Sequence, residues 1–488
     1  MVTHSDDQEL RNTGSSFSND VLKLVSGTTI AFAVTLLAAP FLTRFYSPED
    51  FGNLAIFVSI ISILGVVGCL RYQMAILIPE EDDEAASVFN LSLISAVIVT
   101  LVTLLLVLLG GRFFLRLIDA IQLSSLLWLI PPTIALEGIN LALIYWNIRR
   151  KRYIRMSLAR FGNSFTMTGT QVSLGFLWGA SNLVLIGAYS LGSFLSGVYL
   201  FTSTFKKDWN LFRDNFRARS ILQCAKRYRK FPLYDVWAVL LNNFSWALPA
   251  FMLSAFFSPT IVGYYSLGHR LLRMPMSLIG QAVSQVFFQR ASVARYEENL
   301  SQVVEDIFRR LVTIGLMPFL VLSVTGEEVF SIVFGQNWAE AGVYVQIMAV
   351  WTFFWFISSP LSNIFRLLEQ QEFSLKINVL IFATRFLSLW IGGILSSPRI
   401  AISLFALTGT IMYGYLGVAI FNLADVPIRK GVRILYENIL TFIPVGLVLI
   451  TLKTLSAPDW ILIGISVLAV AIHLLLNRKE LIRGSVGK

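Results

Sequence analysis

Charge is scarce in this sequence. Only 14% of the 488 residues are Asp, Glu, Lys or Arg, against about 25% in an ordinary soluble domain. With 56% hydrophobic residues and a mean hydropathy of +0.70, this excludes a soluble globular enzyme and a disordered chain. Cysteine is nearly absent: Cys69 lies in an apolar run and Cys224 in a basic loop, and no disulfide framework or metal cluster is built from two. Histidine stands only at His4, His269 and His473, without metal-ligand spacing. No Walker-type phosphate loop or dinucleotide-binding glycine pattern is present, so no cofactor or metal is expected, and an ATP-driven pump is disfavoured. Long outer loops are missing too. The stretches 110–122 and 326–342 are too short to carry the catalytic groups of a membrane enzyme.

What the chain has instead is long apolar runs, not the alternating pattern of an outer-membrane barrel. Read as membrane spans they cover roughly 22–43, 53–77, 86–109, 122–146, 157–178, 182–203, 234–257, 261–289, 311–332, 342–365, 374–395, 400–423, 434–452 and 460–476. The expected fold is an all-α polytopic membrane protein of about fourteen helices. The first run, preceded by a polar segment 1–20, reads as an uncleaved span, since no small-residue cleavage pattern ends it.

The formal charge of +10 reads as topology and not as nucleic-acid binding. Alternate connections hold the basic residues: Arg149 to Arg155, Lys206 to Lys230, Arg290 and Arg295, Arg429 to Arg433, and the tail from Arg478. Both termini are therefore expected in the cytoplasm. The acidic run Glu80-Glu81-Asp82-Asp83-Glu84 falls on the same side, and acidic residues weigh little in this rule.

The expected organisation is a first lobe at 21–205, a basic cytoplasmic linker at 206–233, a second lobe at 234–425, and two further spans with a tail at 426–488. In the linker, Trp209, Phe212 and Phe216 recur at helical spacing. They are read either as an amphipathic helix on the anionic leaflet or as part of a plain basic connection. The lobes look like repeats. Pro40 precedes Ser47-Pro48 and Gly52 as Pro249 precedes Ser258-Pro259 and Gly263, six spans apart, which implies parallel repeats.

The run from Leu24 to Leu77 resembles the opening of the polysaccharide-transporter family. These are Wzx-type oligosaccharide flippases of the multidrug/oligosaccharidyl-lipid/polysaccharide superfamily. The residues that carry the resemblance are Gly27-Thr28, Pro40 with Arg44, Tyr46-Ser47-Pro48-Glu49-Asp50-Phe51-Gly52, and Leu70-Arg71-Tyr72 with Ala75-Ile76. Gly268-His269-Arg270-Leu271-Leu272 with Pro275, and Gln285-Val286-Phe287-Phe288, extend it to the second half. The resemblance implies two six-helix lobes in a V around a central cavity, and no enzymatic activity. It implies a bacterial inner-membrane transporter moving undecaprenyl-pyrophosphate-linked oligosaccharide units of O-antigen in lipopolysaccharide, capsule or exopolysaccharide. Membrane lipids, a proton or sodium ion for coupling, and a glycan polymerase complex are the implied partners; nucleic acid is not. Twelve spans are usual there; fourteen resembles the lipid II flippases. A cation-coupled multidrug exporter on the same fold is the alternative, but it calls for an acidic cavity.

A pyrophosphate crossing hydrocarbon needs fixed cations and water. Arg270 and Arg273, three apart on one helix face, and Arg385 in the middle of span 11 are the candidate substrate-binding residues. Arg44, Arg71 and His269 join them, with snorkelling, ion pairing or helix contact as the competing readings. Pro275 is placed to bend its helix. Glu137, deep in span 4, is the candidate ion-coupling residue, or else pairs with a buried arginine or bonds locally. Trp146, Trp178, Trp209, Trp338 and Trp460 at span ends read as interfacial anchors. Trp351 and Trp355, four apart, read as core packing or as a sugar platform.

Overall fold

A computed structural model describes residues 29–297 and 299–477. The polar segment 1–20, the start of the first span and the basic tail lie outside the described residues. The described chain is helical: α1 (Thr29–Phe45), α2 (Pro48–Gly65), α3 (Asp82–Leu117), α4 (Ile130–Arg149), α5 (Tyr153–Leu177), α6 (Asn182–Asp214), α7 (Ala218–Arg227) and α8 (Val236–Phe256). There follow α9 (Pro259–Leu272), α10 (Gln281–Ala294), α11 (Leu300–Phe334), α12 (Ala339–Ser358), α13 (Gln371–Ile394), α14 (Pro398–Leu423), α15 (Ile428–Thr454) and α16 (Asp459–Leu476).

Among the described residues, 11 helical segments are long and apolar enough to cross a membrane. The expected count of fourteen is not reached, for three local reasons. α1 is apolar but short within the described residues. α5 is long but carries Arg160, Asn163, Ser164 and a run of threonines. The expected span 261–289 is interrupted: α9 ends at Leu272, a π-helical turn covers Met276–Gly280, and α10 begins at Gln281. Pro275, whose missing N–H cannot continue the helical ladder, accounts for the break.

The chain forms two compact units, one up to Phe251 and one from Met252. The division falls inside α8, beyond the 206–233 linker. The repeated Ser-Pro motif does the same work in each. Ser47 caps α2, accepting from Asp50 N at 3.2 Å while Asp50 Oδ2 accepts from Ser47 N at 3.0 Å. Ser258 caps α9, accepting from Ile261 N at 3.4 Å. Each proline stands in the first helical turn, where its lost donor costs nothing. Ser397-Pro398 starts α14 in the same way, so the device is not confined to the repeat.

In the first unit, Phe89 stacks on Phe212 at 4.3 Å and Trp146 meets Phe212 edge-on at 4.7 Å. Two aromatics expected at the surface are thus core. Trp146 is fully buried because its Nε1 donates to Asp208 Oδ2 at 3.0 Å. Phe212 of the linker faces inward, while Trp209 and Phe216 are exposed. The linker begins as a continuation of α6. α7 then docks through Cys224 and Tyr228 onto the core that holds Phe89 and Trp146. Glu84 takes Arg227 Nη1 at 2.7 Å and the Tyr228 hydroxyl at 2.9 Å. Burial and that carboxylate push the Tyr228 hydroxyl up to about 12, so it remains a donor at neutral pH. The acidic run is thereby a counter-charge for the basic loops: Asp82 also pairs with Arg149 and Arg150.

In the second unit α11 packs on α12, and α12 on α14. Trp338, expected at the interface, is buried against Tyr264. The two helices beyond the repeat dock on α11 along its length. Lys430 pairs with Glu305 and Lys453 with Glu328, each at 2.7 Å. His473 Nε2 lies 2.7 Å from the Thr313 carbonyl, and Leu449 and Leu462 pack on Met317 and Val321.

Candidate functional site

The break after α9 places a set of cations and rings together in the second unit. Tyr265 and His269, one turn apart, have parallel rings with centroids 5.4 Å apart. His269 continues onto Trp351 at 5.9 Å, and Trp351 onto Trp355 at 6.3 Å. Phe405 of α14 closes edge-on against Trp351 at 4.8 Å. Both tryptophans are buried, so in this state they are packing and not an open sugar surface. The closeness has a sequence cause: at Gly409, a Cβ would come within 2.3 Å of the Trp351 ring.

Two arginines share electrostatic reach of this stack, Arg273 at the end of α9 and Arg385 on α13. Arg385 is buried, and its Nη2 donates to the Tyr413 hydroxyl at 3.2 Å. Arg273 is exposed, as is Arg270 one position beyond His269. The structure therefore brings His269, Arg273 and Arg385 together, with Arg270 on the same helix. Tyr265 and Tyr413 were not singled out from the sequence. Their signal was present, as tyrosines inside apolar runs whose hydroxyls need partners.

The candidates of the first unit are placed differently. Arg71 has a left-handed backbone (φ 66°) and donates through Nε to Asp235 Oδ2 at 2.7 Å. Its Nη2 reaches Met74 Sδ at 2.7 Å. Arg44 is exposed near the end of α1. Glu137 accepts from the Ser193 hydroxyl at 3.0 Å, and Tyr189 is within its electrostatic reach. Asn140, one turn on, donates to the Ser193 carbonyl at 3.1 Å. Glu137 thus has a hydroxyl partner, and among the described residues no cation pairs with it. Also among those residues, no group of three His, Cys, Asp or Glu is placed to hold a metal.

The family model "Polysaccharide biosynthesis protein" matches residues 41–343, more than half of the chain. The chain belongs to this family. With 11 span-length apolar helices among its described residues, this member is a multi-pass membrane protein. The succinoglycan biosynthesis transport protein ExoT of Rhizobium meliloti (strain 1021) is 21% identical over 332 residues, which are 67% of this chain and 64% of that protein. Among solved structures, the lipid II flippase MurJ in an inward closed conformation superposes with a TM-score of 0.72 at 14% identity, covering 93% of this chain and 99% of that one. An inward-facing multidrug-resistance MATE transporter of the MOP superfamily gives 0.60 at 15% identity, covering 82% and 99%. A MOP-superfamily transporter from Pyrococcus furiosus Vc1 gives 0.54 at 13% identity, covering 83% and 95%. The fold of this polysaccharide biosynthesis protein is the one these MOP-superfamily structures share.

Proposed function

We propose that the protein is a flippase. It moves undecaprenyl-pyrophosphate-linked oligosaccharide, a repeat unit of O-antigen, capsule or exopolysaccharide, across the bacterial inner membrane by alternating access. One observation carries the reading. Arg273 and Arg385 both lie within electrostatic reach of His269 and Tyr265 in the second unit, and an intramembrane cation needs an anion or water. A diphosphate supplies the anion, and a guanidinium fork fits its oxygens two at a time. Arg270 adds a third positive charge on α9. Arg71, held by Asp235, serves the first unit's own packing, while Arg44, exposed near the end of α1, meets substrate or headgroups in this scheme. Glu137 with Ser193 is the coupling group, carrying a proton. The family match and the likeness to ExoT support a polysaccharide-linked cargo. A drug exporter on this fold would draw on Glu137 and would have no use for the arginines.

The test is complementation of surface glycan in a strain lacking the gene, normalised to membrane protein level. A charge-assisted contact contributes roughly 1.5–3 kcal/mol. Arg270→Ala, Arg273→Ala and Arg385→Ala should each lower export about tenfold or more, and lysine should restore part of it. Full export by all three alanine variants at normal expression would remove the arginines from the mechanism.

A further inference from the structure

A cavity of about 220 Å³ opens between α14 and α15 in the second unit. Gly414 and Gly417 of α14 and Ile428, Val432 and Leu435 of α15 form its sides, with Phe354 of α12 behind them. The one polar side chain in its wall, Ser358, already donates to the Tyr413 carbonyl at 2.9 Å, so no group there calls for water. Val418 and Val432 at its lips are 37% and 59% exposed, and both helices are span-length, which gives the cavity an apolar mouth suited to hydrocarbon. From Ile428 to Leu435 it runs about 10 Å along α15, at about 1.5 Å per residue, from the helix start toward the membrane interior.

Glycine weakens a helix interior. At Gly409 and Gly431 close packing on Trp351 and Phe421 offsets that cost. A Cβ at Gly414 would meet nothing nearer than 3.9 Å, so this glycine has no packing partner and leaves room. The outer wall of the groove is fixed: Lys430 ties the start of α15 to Glu305 of α11, and Lys453 ties its end to Glu328, each at 2.7 Å. The rim is cationic. Arg433 pairs with Glu437 at 2.7 Å, while Arg429, exposed in the same turn, has no ion pair among the described residues. With Arg309 and Asp425 counted, cations still outnumber carboxylates there. α15 starts on Pro427 without a side-chain cap, and its positive end adds to Arg429.

We propose that this groove holds a resident lipid: one acyl chain of an anionic glycerophospholipid lies between α14 and α15, with its phosphate at Arg429. A dry apolar groove takes an alkyl chain, and a guanidinium at its mouth takes phosphate oxygens. A wall fixed at both ends suits a lipid that stays, whereas the prenyl tail of a transported lipid has to leave. The site does not rest on the flippase reading.

The test is native mass spectrometry of the full-length protein in mild detergent with equal phosphatidylglycerol, phosphatidylethanolamine and undecaprenyl phosphate. Wild-type protein is expected to retain a single phosphatidylglycerol. Gly414→Leu fills the groove from α14 and Val432→Trp from the exposed lip of α15; each should lower that retention about tenfold, the effect of losing contact with two or so methylenes. Arg429→Gln should still hold lipid but lose about fivefold in preference for phosphatidylglycerol over phosphatidylethanolamine. Wild-type retention in both filled variants overturns the site, and an unchanged preference in Arg429→Gln overturns the anionic assignment. Retention of undecaprenyl phosphate ahead of phosphatidylglycerol overturns the occupant in favour of a prenyl lipid. Should the filled variants fail to fold, photoreactive benzoylphenylalanine in place of Val432 in the otherwise unaltered chain is expected to give an adduct of phosphatidylglycerol mass in membranes, and the absence of any lipid adduct there overturns the site.

Discussion

Glu137 and Asp208 show how differently two carboxylates in one unit are held. Glu137 meets a serine hydroxyl and no cation among the described residues. Asp208 accepts from Trp146 Nε1 at 3.0 Å and from Arg152 Nη2 at 3.1 Å, with Nη1 closer still. The first arrangement leaves a carboxylate able to exchange a proton; the second fixes a charge in place. Glu137→Gln should therefore keep the amount of folded protein and lose the dependence of transport on a pH gradient. Unchanged gradient dependence would remove Glu137 from coupling. Asp208→Ala strands a partly buried guanidinium and a buried indole N–H, a loss of about 3 kcal/mol. A clear drop in melting temperature in detergent is expected. At this scale the sequence was an incomplete guide. Polar residues inside apolar runs marked Glu137 and Arg385 as sites, but the partners Ser193 and Tyr413 lie 56 and 28 positions away. Trp146 at a span end read as an interfacial anchor, because nothing local announces that Asp208 satisfies its N–H.

The linker shows what an element gains from its neighbours. Its basic, aromatic pattern describes a surface helix, yet Phe212 stacks into the core and α7 is pinned by Glu84, Cys224 and Tyr228. The exposed Glu84–Arg227 pair contributes little, about 0.2–1 kcal/mol. Phe212 contributes more, about 3–5 kcal/mol on truncation. Phe212→Ala should release the segment 215–230, which is rich in lysine and arginine, to brief trypsin treatment of the folded protein. Glu84→Gln should leave it protected. Equal cleavage of both variants would contradict this ranking. The capped starts of α2 and α9 were legible from Ser-Pro alone, since the proline and the serine oxygen act within one turn. The bend at Pro275 was legible from the proline, but the π-helical turn at Met276–Gly280 was not. Its length depends on how α10 packs.

Over the whole chain, the apolar runs located the helices because bilayer thickness sets their length. At α5 and at α9 to α10, polar residues or a proline leave no single helix long and apolar enough to be recognised as a span. The docking of α15 and α16 on α11 was not legible. It depends on pairs such as Lys430–Glu305 and His473–Thr313, whose members are 125 and 160 positions apart. What unites the scales is the claim that positive charge inside this fold carries an anionic, lipid-linked glycan. The most direct measurement uses purified protein in sealed vesicles containing an undecaprenyl-pyrophosphate-linked oligosaccharide, with a lectin or glycosidase outside reporting its arrival on the outer leaflet. Wild-type protein should expose the glycan far faster than protein-free vesicles, and Arg273→Gln together with Arg385→Gln should slow exposure by tenfold or more. A wild-type rate equal to that of empty vesicles, or a rate untouched by loss of both arginines, would contradict the account.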